Sequence, residues 1–310
     1  MFDDFQSSEI DTGAAGIFSL RAGSGPPLLL LHGFPQTHLM WRDIAPVLAD
    51  RFSVVCADLR GYGGSSCPPS DPDHAPYAKR AMADDMVALM DKLGFSHFMV
   101  AGHDRGGRVA YRMALDHPRS IDKLAVLDIV PTADVWDRAD ARLALGYWPW
   151  SLLAQPKPLP EKILSVATEA IVDNALSGWG SSPSVFPAEV RQAYVDALRD
   201  PSHIHAICEE YRAAATLDRE HDRSDKVVGR RIHCPLLALW SGQGALQDWY
   251  AGEGGPLALW RGWADDVRGQ AMPGGHFFPE ENPAQTAEAL AGFFGFGEPG
   301  QAAKNILARG

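Results

Sequence analysis

The stretch Gly102-His103-Asp104-Arg105-Gly106-Gly107 decides the fold. Residues 97–101 before it predict a buried strand, and residues 108–115 after it predict a helix. A strand that turns sharply into a helix needs glycines, because they tolerate backbone conformations that other residues disfavour. Asp104 stands at the apex, where the nucleophile-elbow pattern Gly-x-Ser-x-Gly has its serine. Asp104 is therefore either a covalent nucleophile or the N-cap of the following helix, and the hexapeptide alone does not decide between these roles.

The sequence around this stretch predicts a mostly parallel, doubly wound α/β sheet. Six apolar runs are typical of strands, the first of them at the edge of the sheet: 17–21, 28–31, 52–57, 97–101, 121–127 and 235–240. Helical periodicity follows at 41–50, 77–93, 257–264 and 283–293. Strands that alternate with helices indicate a parallel sheet with helices on both faces.

The pattern changes between residues 130 and 229. Strand-like runs give way to helical segments that prolines interrupt and that are rich in aromatic residues. We expect residues 130–229 to form a helical cap inserted into a core made of residues 1–129 and 230–310. The last ten residues are predicted to form a loose tail, and nothing in the Gly-rich loop 243–255 indicates its role.

Composition narrows the range of partners. A net charge of −11 argues against a nucleic-acid surface, and the longest apolar run, 26–31, is far too short to span a membrane. The N-terminal residues lack the basic and apolar regions of a signal peptide, so we expect a cytoplasmic enzyme. The four cysteines lack CxxC spacing, and the glycines of loop 61–64 fit no nucleotide-binding motif. We therefore expect neither a metal nor a cofactor.

Three residues follow predicted strands in the order nucleophile, acid, base, which is the order of the α/β-hydrolase triad: Asp104, Asp128 and His276. In that arrangement His276 lies beside the nucleophile and Asp128 orients it. A carboxylate can displace a leaving group at a saturated carbon and form an ester, which water activated by His276 then hydrolyses. We expect the backbone N–H groups of Phe34 and Arg105 to form the oxyanion hole. Alkyl halides and epoxides are the two substrate classes that fit this chemistry.

Arg105 and Arg108 bear on the choice of substrate. They lie about one helical turn apart next to the elbow, and two guanidinium groups can clamp a carboxylate. The alternative is a pair of ordinary salt bridges. Because an anionic nucleophile that attacks an anionic substrate needs positive charge nearby, the sequence favours a small anionic substrate.

Motifs in both the core and the predicted cap carry a more specific resemblance. They are HGFPQTH (32–38), KRAMA (79–83), GHDRG (102–106), LAVLD (124–128), WS (150–151), LAQP (153–156), CEEYRA (208–213) and GHF (275–277). On these motifs the chain from residue 32 to about 293 resembles the haloacetate (fluoroacetate) dehalogenases of the α/β-hydrolase superfamily. The resemblance implies that Asp104 is the nucleophile, His276 the base and Asp128 its partner, and that Arg105 and Arg108 hold the substrate carboxylate. It also implies that the indole N–H of Trp150 binds the departing halide and that the protein is a homodimer.

The predicted halide pocket departs from that family. In its fluoride-releasing members a histidine precedes the tryptophan and a later tyrosine completes the pocket, whereas Pro149 and Thr216 stand at these positions here. Pro149 has no side-chain donor and Thr216 is a short, weak one. Because fluoride depends on strong hydrogen-bond donation to leave, we expect chloro- and bromo-acids to react faster than fluoroacetate. Tyr147 or Trp148 is a possible substitute donor.

Two other functions stay open. Epoxide hydrolases resemble the chain in the same triad and need tyrosines to protonate the epoxide oxygen, for which Tyr147, Tyr194 and Tyr211 are candidates. Arg105 argues against this class, which commonly has a tryptophan directly after the nucleophile. A hydrolase-like binding protein without activity is the third reading, and the complete triad argues against it.

Overall fold

The sheet is the centre of the structure, a computed structural model that describes residues 1–295. Its strands are β1 (Gln6–Asp11), β2 (Gly16–Ala22), β3 (Pro27–Leu31), β4 (Ser53–Ala57), β5 (Phe98–His103), β6 (Ile121–Leu127), β7 (Leu236–Ser241) and β8 (Val267–Met272). Their spatial order is β1-β2-β4-β3-β5-β6-β7-β8. The pairs β1–β2 and β2–β4 are antiparallel, and every pairing from β4 to β8 is parallel. The predicted mostly parallel sheet is confirmed.

Helices cover the sheet and fill the connections between strands. Those of the described chain are α1 (Ala45–Ala49), α2 (Lys79–Lys92), α3 (Asp104–Asp116), α4 (Thr132–Asp137), α5 (Ala141–Gly146), α6 (Pro149–Leu152), α7 (Leu159–Gly178), α8 (Ala188–Ala197), α9 (Pro201–Ala215), α10 (Leu217–Val227), α11 (Ala245–Trp249), α12 (Gly255–Arg261), α13 (Phe278–Glu281) and α14 (Pro283–Phe294). In the part of the chain that the structure describes, no helix combines the length and the apolar character that crossing a membrane requires.

The central strands are buried on both faces. In β3, Leu29 and Leu31 belong to one apolar cluster, while Leu28 and Leu30 belong to another. Because side chains alternate between the two faces of a strand, an unbroken leucine run needs a core on each side. This burial explains why the apolar runs alone located the inner strands.

Both outer strands were missed by the sequence prediction, and residues 17–21 were wrongly placed at the edge. The edge strand is β1, which pairs with β2 and has a largely polar, exposed sequence. The other edge is β8, which pairs with β7 and holds Gly269 and Gln270. Edge strands bury little apolar surface, so apolar runs do not reveal them. The helix predicted over 41–50 is also shorter, since only Ala45–Ala49 is α-helical after a 3₁₀ turn at His38–Trp41.

Helices α4 to α10 all lie between β6 and β7, the region predicted as the cap. Helix α10 is tied to the core through three aspartates on one face, Asp218, Asp222 and Asp225. Asp222 accepts a 2.8 Å hydrogen bond from the Tyr111 hydroxyl, and Asp218 accepts one of 2.7 Å from the Lys79 backbone N–H. The division into core and cap at residues 130 and 229 stays a prediction, and the predicted tail lies outside the described residues.

Candidate active site

The elbow holds Asp104 in a conformation that few side chains adopt. Asp104 begins α3 directly after β5, with φ = +43°. Such a left-handed backbone is strained for a residue other than glycine and is typical of functional sites. The turn requires close approach of two chain segments: the N–H of Gly106 donates a 2.8 Å hydrogen bond to the His32 carbonyl, and a Cβ at position 106 would lie 2.4 Å from that oxygen. The backbone thus projects Asp104 out of the sheet.

Asp128 and His276 come together at the same edge of the sheet. Asp128 follows β6 and also has a positive φ, +53°. One carboxylate oxygen, Oδ1, accepts a 2.8 Å hydrogen bond from the Ser241 N–H at the end of β7. The other, Oδ2, lies 2.6 Å from Nδ1 of His276, and both side chains are buried. Asp128 is therefore held by one strand end and orients the imidazole of His276.

The surroundings of Asp104 favour its ionised form. The backbone N–H of Phe34 donates a 3.0 Å hydrogen bond to Oδ2 of Asp104. Burial alone raises the pKa of this carboxyl group, but the nearby His276, Arg105 and Arg108 outweigh burial and lower the pKa below its ordinary value. A carboxylate that is charged at neutral pH needs no base to act as a nucleophile.

Arg105 is buried and fixed by groups from α9. Its Nε donates a 2.8 Å hydrogen bond to Glu210, and its guanidinium carbon lies 4.0 Å from the centre of the Tyr211 ring. Burial lowers the pKa of Arg105, but the Glu210 carboxylate reverses this effect and holds the pKa above its ordinary range. The two terminal nitrogens of Arg105 have no hydrogen-bond partner within residues 1–295. They are unpaired N–H donors of the kind that bind anions.

Arg108 reaches the site from one turn further along α3. Its Nη1 donates to the Val130 carbonyl at 3.0 Å and to the Thr132 hydroxyl at 3.2 Å. Its guanidinium carbon lies 4.4 Å from the centre of the Trp150 ring. Burial and then the neighbouring charge of Arg105 lower the pKa of Arg108. None of the ion pairs within residues 1–295 involves Arg108. Of the two arginines, Arg105 therefore makes a salt bridge, with Glu210, and Arg108 does not.

A small cavity joins Asp104, Asp128, His276 and Arg108, whereas Arg105 is not among the residues that line it. It is lined by Asp104, Arg108, Asp128, Val135, Leu143, Tyr147, Trp150, Leu246, Trp249, Tyr250 and His276. The cavity has a volume of about 30 Å³, counted as the space that the centre of a water molecule can occupy. Since one water needs roughly 10–15 Å³ on this measure, the cavity holds about two water molecules. Its size suits a substrate of a few atoms.

Of the predicted halide-binding residues, one lines the cavity and two do not. Trp150 is buried and lines the cavity. Pro149 is the first residue of α6 and is outside the lining, as is Thr216, whose hydroxyl donates a 2.8 Å hydrogen bond to the Arg212 carbonyl. The weak donor role assigned to Thr216 therefore has no support, because its hydroxyl is already bonded at the end of α9. Of the suggested substitutes, Tyr147 lines the cavity, whereas the Trp148 indole donates to Asn174 at 2.7 Å.

Of the three tyrosines that the sequence suggested, Tyr147 lines the cavity, whereas Tyr194 and Tyr211 do not. Tyr194 donates a 3.0 Å hydrogen bond to Glu280, outside the cavity lining, and Tyr211 stacks on Arg105. Tyr250, which the sequence did not suggest, lines the cavity together with Tyr147. Burial first, and then the charge of Asp128, raise the pKa of Tyr147 well above its ordinary value, and burial raises the pKa of Tyr250 to about 12. Both phenols stay protonated at neutral pH and can donate hydrogen bonds.

Behind His276 lies a buried polar chain. The Nε2 of His103 donates a 2.8 Å hydrogen bond to the backbone carbonyl of His276, and Gln36 Oε1 lies 3.1 Å from Nδ1 of His103. The amide of Gln36 donates in turn to Glu280, which also pairs with Arg42. The sequence motifs contained Gln36 and His103 but gave no role for either, because both are far from His276 along the chain.

Loop 243–255 contributes three residues to the cavity lining, and the sequence prediction assigned this loop no role. Leu246, Trp249 and Tyr250 all reach the cavity. Aromatic residues after β7 were the available signal, but a glycine-rich loop has no periodicity that would place them.

Comparison with known proteins shows the family to which this chain belongs. The family model for the alpha/beta hydrolase fold matches residues 26–283. The chain belongs to the α/β-hydrolase family. The predicted fold is thereby confirmed, and a hydrolase is the expected kind of enzyme for an elbow, an acid and a histidine at the carboxyl ends of parallel strands.

Individual relatives extend the match over nearly the whole chain. A fluoroacetate dehalogenase from Burkholderia sp is 44% identical over 94% of this chain and 95% of its own. A soluble epoxide hydrolase from Corynebacterium sp. (strain C12) is 32% identical over 89% of this chain and 92% of its own. A solved structure of a candidate α/β hydrolase from Nostoc sp PCC 7120 is 48% identical, with a TM-score of 0.90, over 94% of this chain and 99% of that one. The predicted likeness to the haloacetate dehalogenases is confirmed, and this α/β hydrolase is haloacetate dehalogenase-like.

Proposed function

We propose that this α/β hydrolase removes the halide from small 2-haloacids by way of an ester on Asp104. The proposal rests on one observation. An ionised Asp104, the His276–Asp128 pair and Arg108 all line one cavity of about 30 Å³. The Burkholderia relative, which is named a fluoroacetate dehalogenase, supports the same class of reaction.

In the first step an oxygen of Asp104 attacks the carbon that bears the halogen. The new C–O bond forms as the carbon–halogen bond breaks, and the halide leaves with the bonding electrons. In the second step Nε2 of His276 takes a proton from water, and the hydroxide attacks Cγ of Asp104. The N–H groups of Phe34 and Arg105 stabilise the oxyanion, and the first of them already lies 3.0 Å from Asp104 Oδ2. Collapse expels the alkoxide, which takes the proton from His276 and leaves as the 2-hydroxyacid. The carboxylic acid left on Asp104 loses its proton to solvent, which restores the carboxylate.

The arginines select the acid. Within residues 1–295 the terminal nitrogens of Arg105 have no hydrogen-bond partner and Arg108 has no ion pair, and both guanidinium groups match the planar oxygens of a carboxylate. The same charges reduce the repulsion between the Asp104 carboxylate and an anionic substrate. Neutral haloalkanes lack this anchor, so we expect them to be poor substrates.

The second part of the proposal concerns which halide the site releases most readily. Trp150 lines the cavity, Pro149 has no donor, and the Thr216 hydroxyl is bonded to Arg212. Because chloride and bromide need less hydrogen-bond donation than fluoride, we propose that chloro- and bromoacetate are turned over faster than fluoroacetate. A hydrogen bond from Tyr147 to the leaving fluoride would reduce the difference in rate between fluoroacetate and the other two acids.

The decisive experiment measures halide release from chloro-, bromo- and fluoroacetate by the purified protein. We also expect the His276→Ala variant to release one halide per site and then stop, because the ester forms but is not hydrolysed. Mass spectrometry should find that variant carrying one carboxymethyl group on the peptide that contains Asp104. Absence of halide release by the wild type would refute the function, and fluoroacetate turnover that equals chloroacetate turnover would refute the preference.

Epoxide hydrolysis is the second candidate, and the two tyrosines at the cavity favour it. Tyr147 and Tyr250 are protonated donors that could assist the opening of an epoxide by Asp104. The Corynebacterium relative carries the name soluble epoxide hydrolase. The small cavity and the two arginines support the haloacid instead. Diol formation from small epoxides, measured beside halide release, separates the two functions.

The predictions of a homodimer and of a cytoplasmic location stay predictions. Light scattering on the purified protein measures its mass in solution and tests the first of them, and a monomer at micromolar concentration would contradict it.

A further inference from the structure

A second small cavity lies against the candidate active site. It has a volume of about 40 Å³ on the same measure and is lined by Val135, Arg138, Asp140, Arg142, Leu143, Trp249, Tyr250 and Glu253. Four of these residues also line the active-site cavity: Val135, Leu143, Trp249 and Tyr250. The four side chains therefore form a wall between the two spaces.

The wall is held in place from both sides. On the inner side, the Trp249 ring packs edge-on against Tyr147 with 5.3 Å between ring centres. On the outer side, the Nε of Arg138 donates to both carboxylate oxygens of Glu253 at 2.8 Å, which ties loop 243–255 to α4. This one N–H is shared between the two oxygens, and Nη2 of Arg138 lies 2.7 Å from Oε2 of Glu253 in an ion pair whose partners are partly exposed.

We propose that Trp249 and Tyr250 set the size of the substrate by closing the active-site cavity off from the outer one. The inference rests on the proposed function and names its substrate class: 2-haloacids whose second substituent is hydrogen or methyl. The inner cavity has room for about two waters, so a carboxylate and a halomethyl group leave little space for a longer chain. The outer cavity is the adjacent space into which such a chain would extend.

Truncating the wall should admit longer acids. We expect Tyr250→Ala to raise the ratio of kcat/KM for 2-bromohexanoate to kcat/KM for bromoacetate about tenfold or more, since one or a few methylenes in a tight pocket change selectivity by roughly that factor. Trp249→Ala should act in the same direction, and the milder Tyr250→Leu covers the case in which an alanine variant does not fold. Asp248→Ala is the matched control, because Asp248 is exposed in the same helix and lines neither cavity.

Binding separates this inference from the proposed function. Calorimetric titration with acetate and hexanoate needs no catalysis, so it measures the size limit even if the wild type releases no halide. We expect Tyr250→Ala to bind hexanoate at least tenfold tighter than the wild type does while its affinity for acetate changes less. If folded wall variants keep the wild-type ratios in both experiments, or if Asp248→Ala shifts them equally, the wall does not set substrate size.

Discussion

Replacing Glu210 with glutamine tests whether the position of Arg105 matters for substrate binding. Glu210 is buried on α9, and one of its oxygens, Oε1, lies 2.8 Å from Arg105 Nε and 2.5 Å from Lys79 Nζ. The other, Oε2, accepts a 2.5 Å hydrogen bond from Tyr62. Because of Arg105 and Lys79, the pKa of Glu210 falls to about 2 in spite of its burial, so the group is an anion at neutral pH. Glu210→Gln removes this charge and keeps the shape of the side chain.

The structure sets the size of the expected effect on stability. Removing one partner of a buried ion pair costs about 3–5 kcal/mol, because the other charge stays buried. Lys79 keeps a second anion, Asp218, at 3.6 Å, and burial lowers its pKa, which makes loss of its proton easier. We therefore expect Glu210→Gln to lower the free energy of unfolding by about 3 kcal/mol, the lower end of that range.

The effect on catalysis should appear mainly in KM. Arg105 loses a charge-assisted hydrogen bond worth about 1.5–3 kcal/mol, which corresponds to a decrease in kcat/KM of about 10- to 100-fold if its terminal nitrogens no longer meet the substrate carboxylate. Asp104, Asp128 and His276 keep their contacts, so kcat should change less. Initial rates of chloride release at varied chloroacetate concentration, together with urea denaturation, measure both effects.

Glu209→Gln is the control for this variant. Glu209 is the neighbouring residue on α9, is also buried, and pairs with Arg212 at 2.7 Å and His74 at 2.6 Å, away from the cavity lining. We expect it to lose stability without a rise in KM. A folded Glu210→Gln enzyme with wild-type KM, or an equal rise in KM for Glu209→Gln, would refute the positioning role of Glu210.

Three further variants test the site and its surroundings. Arg108→Gln should lower kcat/KM about 10- to 100-fold for bromoacetate but much less for neutral bromoacetamide, and equal losses in halide-release assays would contradict a carboxylate clamp. Trp150→Phe should slow chloroacetate more than bromoacetate if its indole N–H assists the halide, and the ratio of the two rates is the readout. Burial raises the pKa of Glu280 to about 7 from 4.5, so its stabilising contribution is present below about pH 4.5 and is lost as pH rises through 7. Between about pH 5 and 8 the wild type should lose about 2–3 kcal/mol relative to Glu280→Gln in urea denaturation, and a difference that does not vary with pH would contradict this.

Residues with strong local signals were predictable from the sequence. The inner strands are buried on both faces, so apolar runs such as 28–31 and 121–127 located them. Asp104, Asp128 and His276 stand at or after strand ends, and the carboxyl ends of parallel strands meet at one edge of the sheet. The order of the three residues along the chain was therefore enough to predict that they lie close together.

The remaining parts of the site depend on contacts between distant segments. Glu210 meets Arg105 across more than a hundred residues, and Tyr250 reaches the cavity from a loop without periodicity. The sequence also gave no sign that the Thr216 hydroxyl bonds to its own helix, since that depends on the rotamer at the end of α9. Strand and helix patterns constrain neighbours along an element, but they do not determine which side chains of two elements face each other.

The two arginines explain how the site can favour an acid over a neutral halide. Arg105 and Arg108 are buried side by side. Burial first, and then the charge of Arg105, lower the pKa of Arg108, so the two charges disfavour each other. Glu210 forms an ion pair with Arg105, whereas within residues 1–295 Arg108 bonds a carbonyl and a hydroxyl, packs on an aromatic ring and feels the charge of Asp104. A carboxylate in the cavity would add negative charge next to Arg108, and a neutral substrate of the same size would not. Selectivity for acids would then arise from repulsion that the substrate relieves as well as from the hydrogen bonds that it accepts.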